Sequence, residues 1–320
     1  MSHLVVRMVT NFPHCYEQLG IHVSIDDAAR QQHGIITRKQ AIAYGMTARQ
    51  VDYRVARGTW IRRFSGVYQL RSSPVTWESR LLSAVFASGG IASHRCAAAL
   101  LKLDVFYEPD VEISVATDRA HDFDGVNVHR TSQWGRRDPI VRHGIPCTGV
   151  ERTILDCAGV LRLETVERLA EAAIRQGRTT WLDLADCLRE HSRKGRNGCG
   201  TLRLLLQMRL EDRTVPLSDF SRRVVQLLVD SGLPRPVIEY RISDSNDQFI
   251  MQADLAWPAH KKAWELDGLQ WHFGRLDVER DRRKRNRAKS EGWTIQEILW
   301  SMYVDSPDQL VQMARKFLDA

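Results

Sequence analysis

The sequence predicts a multidomain protein of the α+β class, and three observations lead to that prediction. Short capped helices followed by an alternating segment occupy residues 24–72, and residues 158–215 carry apolar side chains at helical spacing, as in a helical connector. Residues 216–320 combine strand-like runs with helices, one of them strongly basic. A mixed α/β middle region at residues 73–157 and an N-terminal extension at residues 1–23 complete the predicted organisation.

The composition is that of a globular protein with a basic surface. The 320 residues carry a net charge of +7 and a pI near 9.2, with 43% hydrophobic and 27% charged residues. This balance excludes wholesale disorder and favours a polyanionic partner such as DNA. No apolar run is long enough to span a membrane or to form a signal peptide, so we expect a cytoplasmic protein. The six cysteines lack paired spacing, which indicates reduced thiols rather than zinc sites or disulfides.

Residues 24–72 have the pattern of a winged helix-turn-helix. Ser24, Thr37 and Thr47 stand at the starts of three short predicted helices, where their hydroxyls can cap the free amide groups. Residues 59–70 then alternate between apolar and polar side chains and turn at a Ser-Gly pair, as a β-hairpin does. Three short helices followed by a hairpin make up this fold.

Polar groups are predicted on the outer face of the third helix and on the hairpin. Val51 and Val55 face the core in this interpretation, which turns the remaining side chains of the helix outwards. The candidate contacts to DNA bases and phosphates are Arg49, Gln50, Tyr53, Arg54, Arg57, Arg62 and Arg63. The alternative is a compact helical domain whose arginines are only solvated or are used for protein contacts.

Three short motifs occur within this segment. They are His33-Gly34-Ile35-Ile36-Thr37-Arg38, Gly58-Thr59-Trp60 and Gly66-Val67-Tyr68. The motifs resemble the N-terminal domain of AbiEi-type antitoxins, and residues 73–157 resemble the middle region of the same proteins. The resemblance implies a winged-helix DNA-binding repressor of a toxin–antitoxin operon. It also implies a cognate toxin or a phage-defence protein as partner.

The C-terminal segment places carboxylates on two strand-like runs that flank a turn at Pro258-Ala259-His260. Alternation puts Glu265 and Asp267 on one face of the second run, and a hairpin would bring Asp254 to the same end of the sheet. Acidic residues are depleted in strands and repel one another, and a divalent cation such as Mg²⁺ or Mn²⁺ relieves that repulsion. These three residues are therefore candidate metal ligands, and His272 is a candidate acid or base.

A strongly basic helix follows the second run. Its arginines and one asparagine fall on adjoining helical faces, from which they can donate to a phosphate backbone. These candidate DNA contacts are Arg280, Arg283, Asn286 and Arg287. Carboxylates, a histidine and an arginine surface together indicate a site for phosphodiester chemistry.

Spaced motifs in the last third of the chain carry a second resemblance. They are Asp254, Glu265-Leu266-Asp267-Gly268, Trp271-His272, Glu279-Arg280-Asp281-Arg282-Arg283 and Gly292-Trp293. The set resembles the very-short-patch-repair (Vsr)-like branch of the PD-(D/E)XK nucleases. This implies a restriction-endonuclease-like αβββαβ core with a Mg²⁺-dependent DNA endonuclease site.

By this resemblance Asp254 and Glu265 are metal ligands, and His272 belongs to the Trp-His motif of the branch. Asp267 stands where many members of the superfamily have a catalytic lysine. In this superfamily the first helix of the nuclease domain usually carries an active-site glutamate, and the corresponding segment of this sequence has no glutamate. Either Asp219 substitutes for it as a catalytic residue, or Ser221 marks its loss.

Three functions fit these patterns. The first is a metal-dependent DNA endonuclease that the winged helix positions on DNA. The second is an AbiEi-like transcriptional repressor or antitoxin whose C-terminal domain binds DNA or a partner without cutting. A third is an interaction scaffold in phage defence that binds RNA. Convergence of Asp254, Glu265 and Asp267 is the feature that separates the first function from the second.

Overall fold

The structure is a computed structural model, and it divides the chain into two compact units, Met1–Thr179 and Thr180–Ala320. The described residues are 24–103, 106–116, 123–134, 138–193, 195–211, 217–267 and 275–319, with the side chains of 210–211, 217–218, 267 and 275–281 left out. Four of the predicted features lie outside this description, namely the extension at residues 1–23, His272 and the side chains of Asp267 and Arg280.

The first unit contains the winged segment and a mixed α/β region. Its described helices and strands are α1 (Ile25–Gln31), β1 (Ile35–Thr37), α2 (Arg38–Ala43), α3 (Ala48–Ala56), β2 (Trp60–Phe64), β3 (Val67–Leu70), α4 (Trp77–Ser88), β4 (Ile91–Ala92), α5 (His94–Leu100), β5 (Val111–Ala116), β6 (Val126–Thr131), β7 (Ile140–Arg142), β8 (Ile145–Cys147), α6 (Val150–Ala158) and α7 (Leu163–Arg175). The strands form a three-stranded sheet in the order β1-β3-β2 and a five-stranded sheet in the order β6-β5-β4-β8-β7.

Each of the first three helices starts at the capping residue that the sequence predicts. The Ser24 hydroxyl accepts the amide N–H of Asp27 at 3.2 Å. Thr37 and Thr47 each form a complete capping box with the glutamine three residues further on. A cap of this kind contributes about 1 kcal/mol because it satisfies a backbone donor that has no partner within the helix. Local sequence is therefore sufficient to fix where these helices begin.

The wing follows the predicted hairpin, with one addition. Strands β2 and β3 pair antiparallel around Ser65-Gly66, and Gly66 takes the left-handed φ of 71° that the turn requires. Ile35 and Ile36 are too few to show a strand period in the sequence, but residues 35–37 form strand β1, which pairs antiparallel with β3. The physical reason is that this segment is buried, and buried backbone groups need hydrogen-bond partners.

The core of the winged segment is built by apolar side chains from all its elements. Val51 of α3 is fully buried and Val55 packs against the same cluster, which confirms their predicted direction. Trp60 and Tyr68 are almost fully buried from the two wing strands, and their ring centroids are 5.8 Å apart. Helix α3 is thus fixed to the wing through one of its faces.

Helix α4 lies between the two sheets of the first unit. It is buried on more than one side, and its buried residues are Trp77, Ser79, Leu81, Leu82, Ser83, Ala84, Val85 and Ser88. One apolar cluster joins this helix to Ile35 and Val67 of the small sheet and to Ile113 and Ile145 of the large sheet. The winged segment and the middle region therefore share a core.

The large sheet is mixed. Strand β5 pairs parallel with β6 and antiparallel with β4, while β8 pairs parallel with β4 and antiparallel with β7. The sequence pattern predicts β5 and β6, but β4, β7 and β8 are too short to show a period. The position just before β4 requires glycine, because a Cβ atom on residue 90 would lie 2.4 Å from the carbonyl oxygen of Ser114.

A buried arginine joins the end of the large sheet to helix α6. The Arg152 Nε atom lies 2.9 Å from both carboxylate oxygens of Asp156, and an Nη atom lies 3.3 Å from Asp138. A further bond reaches the Thr131 hydroxyl at 3.1 Å. The Arg152 side chain is only 4% exposed, and a charge at that depth is tolerated because its donors are paired.

Two histidines meet in the same region. The rings of His94 and His129 are stacked with centroids 3.5 Å apart, and His94 Nδ1 lies 2.9 Å from the Ser93 hydroxyl. Burial lowers the pKa of His94 to about 4, although nearby Asp156 acts in the opposite direction. The sequence spacing did not predict this pair, because the two residues are brought together only by the pairing of distant strands.

The second unit contains two helices followed by an α/β region. Its described elements are α8 (Trp181–His191), α9 (Cys199–Glu211), α10 (Leu217–Asp230), β9 (Val237–Ser243), β10 (Phe249–Trp257), a 3₁₀ turn (Pro258–His260), β11 (Lys262–Asp267), α11 (Arg275–Ser290), β12 (Thr294–Leu299), α12 (Trp300–Asp305) and α13 (Pro307–Asp319). The segment predicted as a helical connector, residues 158–215, is divided between the two units, because the boundary falls after Thr179.

A four-stranded mixed sheet is the centre of the second unit. Its strand order is β12-β11-β10-β9, with β11 and β12 parallel and the other pairs antiparallel. From α10 to β12 the elements follow one another in the order αβββαβ. Trp257, Trp264 and Phe317 form an aromatic cluster that packs α13 on the sheet.

None of the helices in the described part of the chain is both long enough and apolar enough to cross a membrane.

The buried histidine leads to a pH-dependent stability. Because His94 stays neutral in the folded protein while its unfolded pKa is about 6.5, the unfolded state gains a proton first as the pH falls. The free energy of unfolding should therefore decrease by about 3 kcal/mol between pH 6.5 and pH 4 through this group alone. Urea unfolding of wild type and His94→Asn across that range measures the difference.

Asparagine is a suitable replacement because His94 has a φ of 50°, which asparagine tolerates. The matched control is His143→Asn, at an exposed residue with the same φ of 50°. His94→Asn should lose this part of the acid sensitivity and His143→Asn should keep it. Parallel pH profiles for wild type and His94→Asn would contradict the assignment.

Candidate nucleic-acid interface

Three side chains of helix α3 project from the winged segment. Arg49, Tyr53 and Arg57 are exposed, and Tyr53 is 57% exposed despite its aromatic ring. The Arg57 guanidinium lies 5.1 Å from the centroid of the Tyr53 ring, so each side chain orients the other. Exposed aromatic and arginine groups on a helix of this type are suited to contact with bases and phosphates.

The wing adds one further exposed arginine, Arg62 on strand β2. Within the described part of the chain, Arg49, Arg57 and Arg62 form no ion pair with a carboxylate. Their positive charges therefore remain available to an external anion.

Two other predicted DNA contacts, Arg54 and Arg63, are engaged inside the segment. Arg54 forms an ion pair with Asp26 of helix α1 at 2.7 Å, and its guanidinium lies 5.2 Å from the Trp60 ring centroid. Arg63 donates to the side-chain oxygen of Gln69 at 2.7 Å. These contacts join α1, α3 and the wing, and the predicted contacts of Arg54 and Arg63 with DNA stay predictions.

Gln50 has a similar internal role. Its side-chain oxygen accepts the Thr47 amide N–H at 2.7 Å and so closes the capping box of helix α3. That oxygen helps to fix the start of the helix, and because Gln50 is exposed its contact with DNA stays a prediction.

An ion pair that the sequence analysis missed lies beside the exposed arginines. Arg38, at the start of α2, makes two contacts with the carboxylate of Asp52, at 2.6 and 3.1 Å. This ion pair reduces the repulsion between the Asp52 carboxylate and a polyanion, although the Asp52 side chain is 60% exposed. The hydrogen bond from Arg38 also lowers the pKa of Asp52. The contact joins α2 to α3 across fourteen residues, a distance at which periodicity gives no signal.

Helix α11 of the second unit is basic, and some of its arginines form ion pairs within the unit. Arg283, Asn286 and Arg287 are exposed, as the sequence predicts. Arg287 contacts the Asp244 carboxylate in the turn between β9 and β10, and Arg285 contacts Glu265 and Glu297. Part of the predicted phosphate-binding surface therefore neutralises acidic groups of its own unit.

Two of the predicted metal ligands lie side by side. Leu255 of β10 pairs with Trp264 of β11 in antiparallel register. One position beyond this pair, the same register brings Asp254 of β10 beside Glu265 of β11. The Asp254 carboxylate accepts the amide N–H of Leu266 at 2.7 Å. Burial raises the pKa of Asp254 in spite of this hydrogen bond, and the negative charge of Glu239 acts in the same direction.

The other predicted members of the catalytic site do not extend this pair in the described structure. The Asp219 side chain is 46% exposed and forms an ion pair with Arg222 at 3.1 Å, and Ser221 is buried. Among the described residues, no group of three histidine, cysteine, aspartate or glutamate side chains is placed to hold a metal ion. Carboxylate oxygens are ligands that Mg²⁺ prefers. Asp254 and Glu265 would provide two such ligands, and the described residues complete no group of three around them.

Comparison with known proteins defines the N-terminal segment. Residues 24–71 match the family model described as "Transcriptional regulator, AbiEi antitoxin". This confirms the predicted resemblance for the winged helix-turn-helix, and the match does not extend to the second unit. The class that fold and family define together for these residues is the DNA-binding regulator.

Two relatives align over most of the chain. Two uncharacterized proteins of Mycobacterium tuberculosis strains are each 26% identical over 274 residues, which is 86% of this chain and 98% of the relative. The aligned stretch is longer than either unit, so the combination of the two units extends to these relatives.

The internal role of Arg54 can be separated from that of Arg57 by stability. Arg54→Met should lower the free energy of unfolding by about 1 kcal/mol, because the change removes a partly exposed ion pair and a cation–π contact. Arg57→Met should change it by less than about 0.5 kcal/mol, since only a surface contact is lost. Urea denaturation of both variants measures this, and equal effects would mean that Arg54 does not join the elements.

Proposed function

We propose that the protein is a DNA-binding transcriptional regulator of the antitoxin type and that its first unit binds duplex DNA. The observation that carries the proposal is a winged helix-turn-helix on which Tyr53 is exposed together with Arg49, Arg57 and Arg62, three arginines that form no ion pair within the described structure. The family match over residues 24–71 supports the same function, and the net charge of +7 favours a polyanion.

The roles of these groups follow from their positions. Helix α3 lies in the major groove, where Arg49 and Arg57 can donate to guanine or to phosphates, and Tyr53 provides an apolar face for base edges. Arg62 on the wing contacts the backbone beside the groove. Asp52 faces the same groove, and its pair with Arg38 limits repulsion of the phosphates.

An antitoxin also has a cognate toxin as partner. The family description supports this context for the N-terminal segment. We propose that the protein regulates the operon that encodes such a pair.

The DNA-binding proposal is tested by the salt dependence of affinity. Arg49→Gln, Arg57→Gln and Arg62→Gln should each weaken binding, and each change that removes a phosphate contact should reduce the slope of log K against log salt by about one. Fluorescence anisotropy with a duplex from the upstream region of its own gene measures both quantities.

The control variant is Arg168→Gln, at an exposed arginine of helix α7, and it should leave affinity and slope unchanged. Arg54→Gln should act mainly on stability. If the three surface variants bind DNA as the wild type does, the winged segment does not bind DNA through α3 and the wing.

A second proposal concerns the second unit, for which we propose a metal-dependent DNA endonuclease role. The observation that favours it is the adjacency of Asp254 and Glu265 on two strands of a sheet whose elements follow the order αβββαβ. Asp254, Glu265 and Asp267 are the residues that would hold Mg²⁺ or Mn²⁺. When bound, such an ion stabilises negative charge on a phosphate.

The chain itself contributes positioning in this second proposal. Arg283 and Asn286, both exposed on helix α11, would bind the phosphate backbone, and His272 would transfer a proton. Asp254 is held in place by the amide N–H of Leu266.

The nuclease proposal is tested by nicking of supercoiled plasmid and cutting of linear DNA with Mg²⁺, Mn²⁺ or EDTA. Cutting should require the metal and should fall at least about a hundredfold in Asp254→Asn, which keeps an acceptor for the Leu266 amide but loses the charge. Asp230→Asn, at an exposed position of α10, is the matched control. A folded protein that binds DNA tightly but does not cut with either metal would be a regulator alone.

A further inference from the structure

Arg285 of helix α11 lies between two carboxylates of neighbouring parallel strands. Glu265 of β11 and Glu297 of β12 are register partners, which places two negative charges side by side. The Arg285 Nε atom lies 2.7 Å from Glu265 Oε2, and an Nη atom contacts Glu297 Oε1. The Arg285 guanidinium thus neutralises the neighbouring carboxylates of Glu265 and Glu297.

This contact involves a residue that the nuclease proposal needs for another purpose. Glu265 is a candidate metal ligand, and a divalent cation relieves carboxylate repulsion in the same way as the guanidinium does. Two cations cannot occupy one carboxylate without repelling each other, and the repulsion is strong because the Glu265 side chain is only 20% exposed. Arg285 and a metal ion therefore compete for Glu265.

Helix α11 does not depend on Arg285 for its attachment. Ala288 is fully buried in the apolar cluster of the sheet together with Trp293, and Arg287 contacts Asp244. Arg285 itself is 31% exposed, so its side chain can move into solvent while the helix stays in place.

We propose that Arg285 is a built-in counter-cation that occupies Glu265 and must leave before a divalent metal ion binds there. The inference rests on the nuclease role proposed for the second unit. It makes the carboxylate pair a site with low metal affinity as long as the guanidinium stays on Glu265. The group that can draw it away is a phosphate of nucleic acid, because guanidinium binds phosphate and carboxylate with the same two-point geometry.

The surroundings of Arg285 favour that exchange. Arg282, Asn286 and Lys289 follow one another at helical spacing on α11 and are all exposed. A nucleic-acid backbone held by these groups brings phosphates close to Arg285. Metal binding at Glu265 is thereby linked to the presence of the substrate.

The test is Mn²⁺ binding by the full-length protein without DNA, measured as loss of the free-ion signal in electron paramagnetic resonance. Arg285→Gln removes the charge and should bind Mn²⁺ at least about tenfold more tightly than wild type. Arg285→Lys keeps the charge and should stay close to wild type. Lys316→Gln removes an exposed positive charge from helix α13 of the same unit and should also leave the affinity unchanged.

Two further measurements complete the experiment. The double variant Arg285→Gln with Glu265→Gln should lose the gained affinity, which places the ion at Glu265. Circular dichroism and urea midpoints of every variant establish that the second unit is folded, and Arg285→Lys provides a charge-preserving comparison if Arg285→Gln is destabilised.

The outcomes distinguish the competition between Arg285 and the metal ion from the nuclease proposal on which it rests. Equal and tight Mn²⁺ binding by wild type and Arg285→Gln would overturn the competition and leave the nuclease proposal standing. No Mn²⁺ binding by either folded protein would overturn both. Neither result bears on DNA binding by the first unit, which the anisotropy experiment measures independently.

Discussion

Burial of helix α4 on both sides is the constraint on which the first unit depends. A helix that is apolar around most of its surface has to be covered on several faces, and here two sheets provide the cover. Small buried residues such as Ser79, Ser83 and Ala84 let strands approach closely from either side. The position of the wing is set by this packing, because the small sheet that carries the wing is one of the two covers.

Charge pairing then decides which parts of the basic surface remain available. The winged segment contains more arginines than an interface needs, and Arg38 and Arg54 are used to join helices through Asp52 and Asp26. The second unit follows the same principle, since Arg285 and Arg287 neutralise its own carboxylates. In a strongly basic protein, net charge is therefore a poor guide to the residues that contact a ligand, because an ion-paired arginine has to leave its carboxylate before it can bind an external phosphate.

Buried polar groups add a second kind of constraint. Arg152, with Asp156, Asp138 and Thr131, closes one end of the large sheet. His94 and His129 stack nearby, and one of the two rings is held neutral by burial. Such groups are costly when unpaired, so their presence ties the fold of the middle region to a complete set of partners.

The sequence by itself determined the local features of this protein. Caps at Ser24, Thr37 and Thr47 begin their helices, the hairpin turns at Ser65-Gly66, and the apolar face of α3 is buried, because each depends on residues within one or two turns of chain. Tertiary structure alone decided that residues 35–37 pair as a strand, that His94 meets His129, and that Arg285 rests on Glu265 and Glu297. Those contacts join residues that are distant in the chain, and their energies depend on burial and charge that no local pattern records.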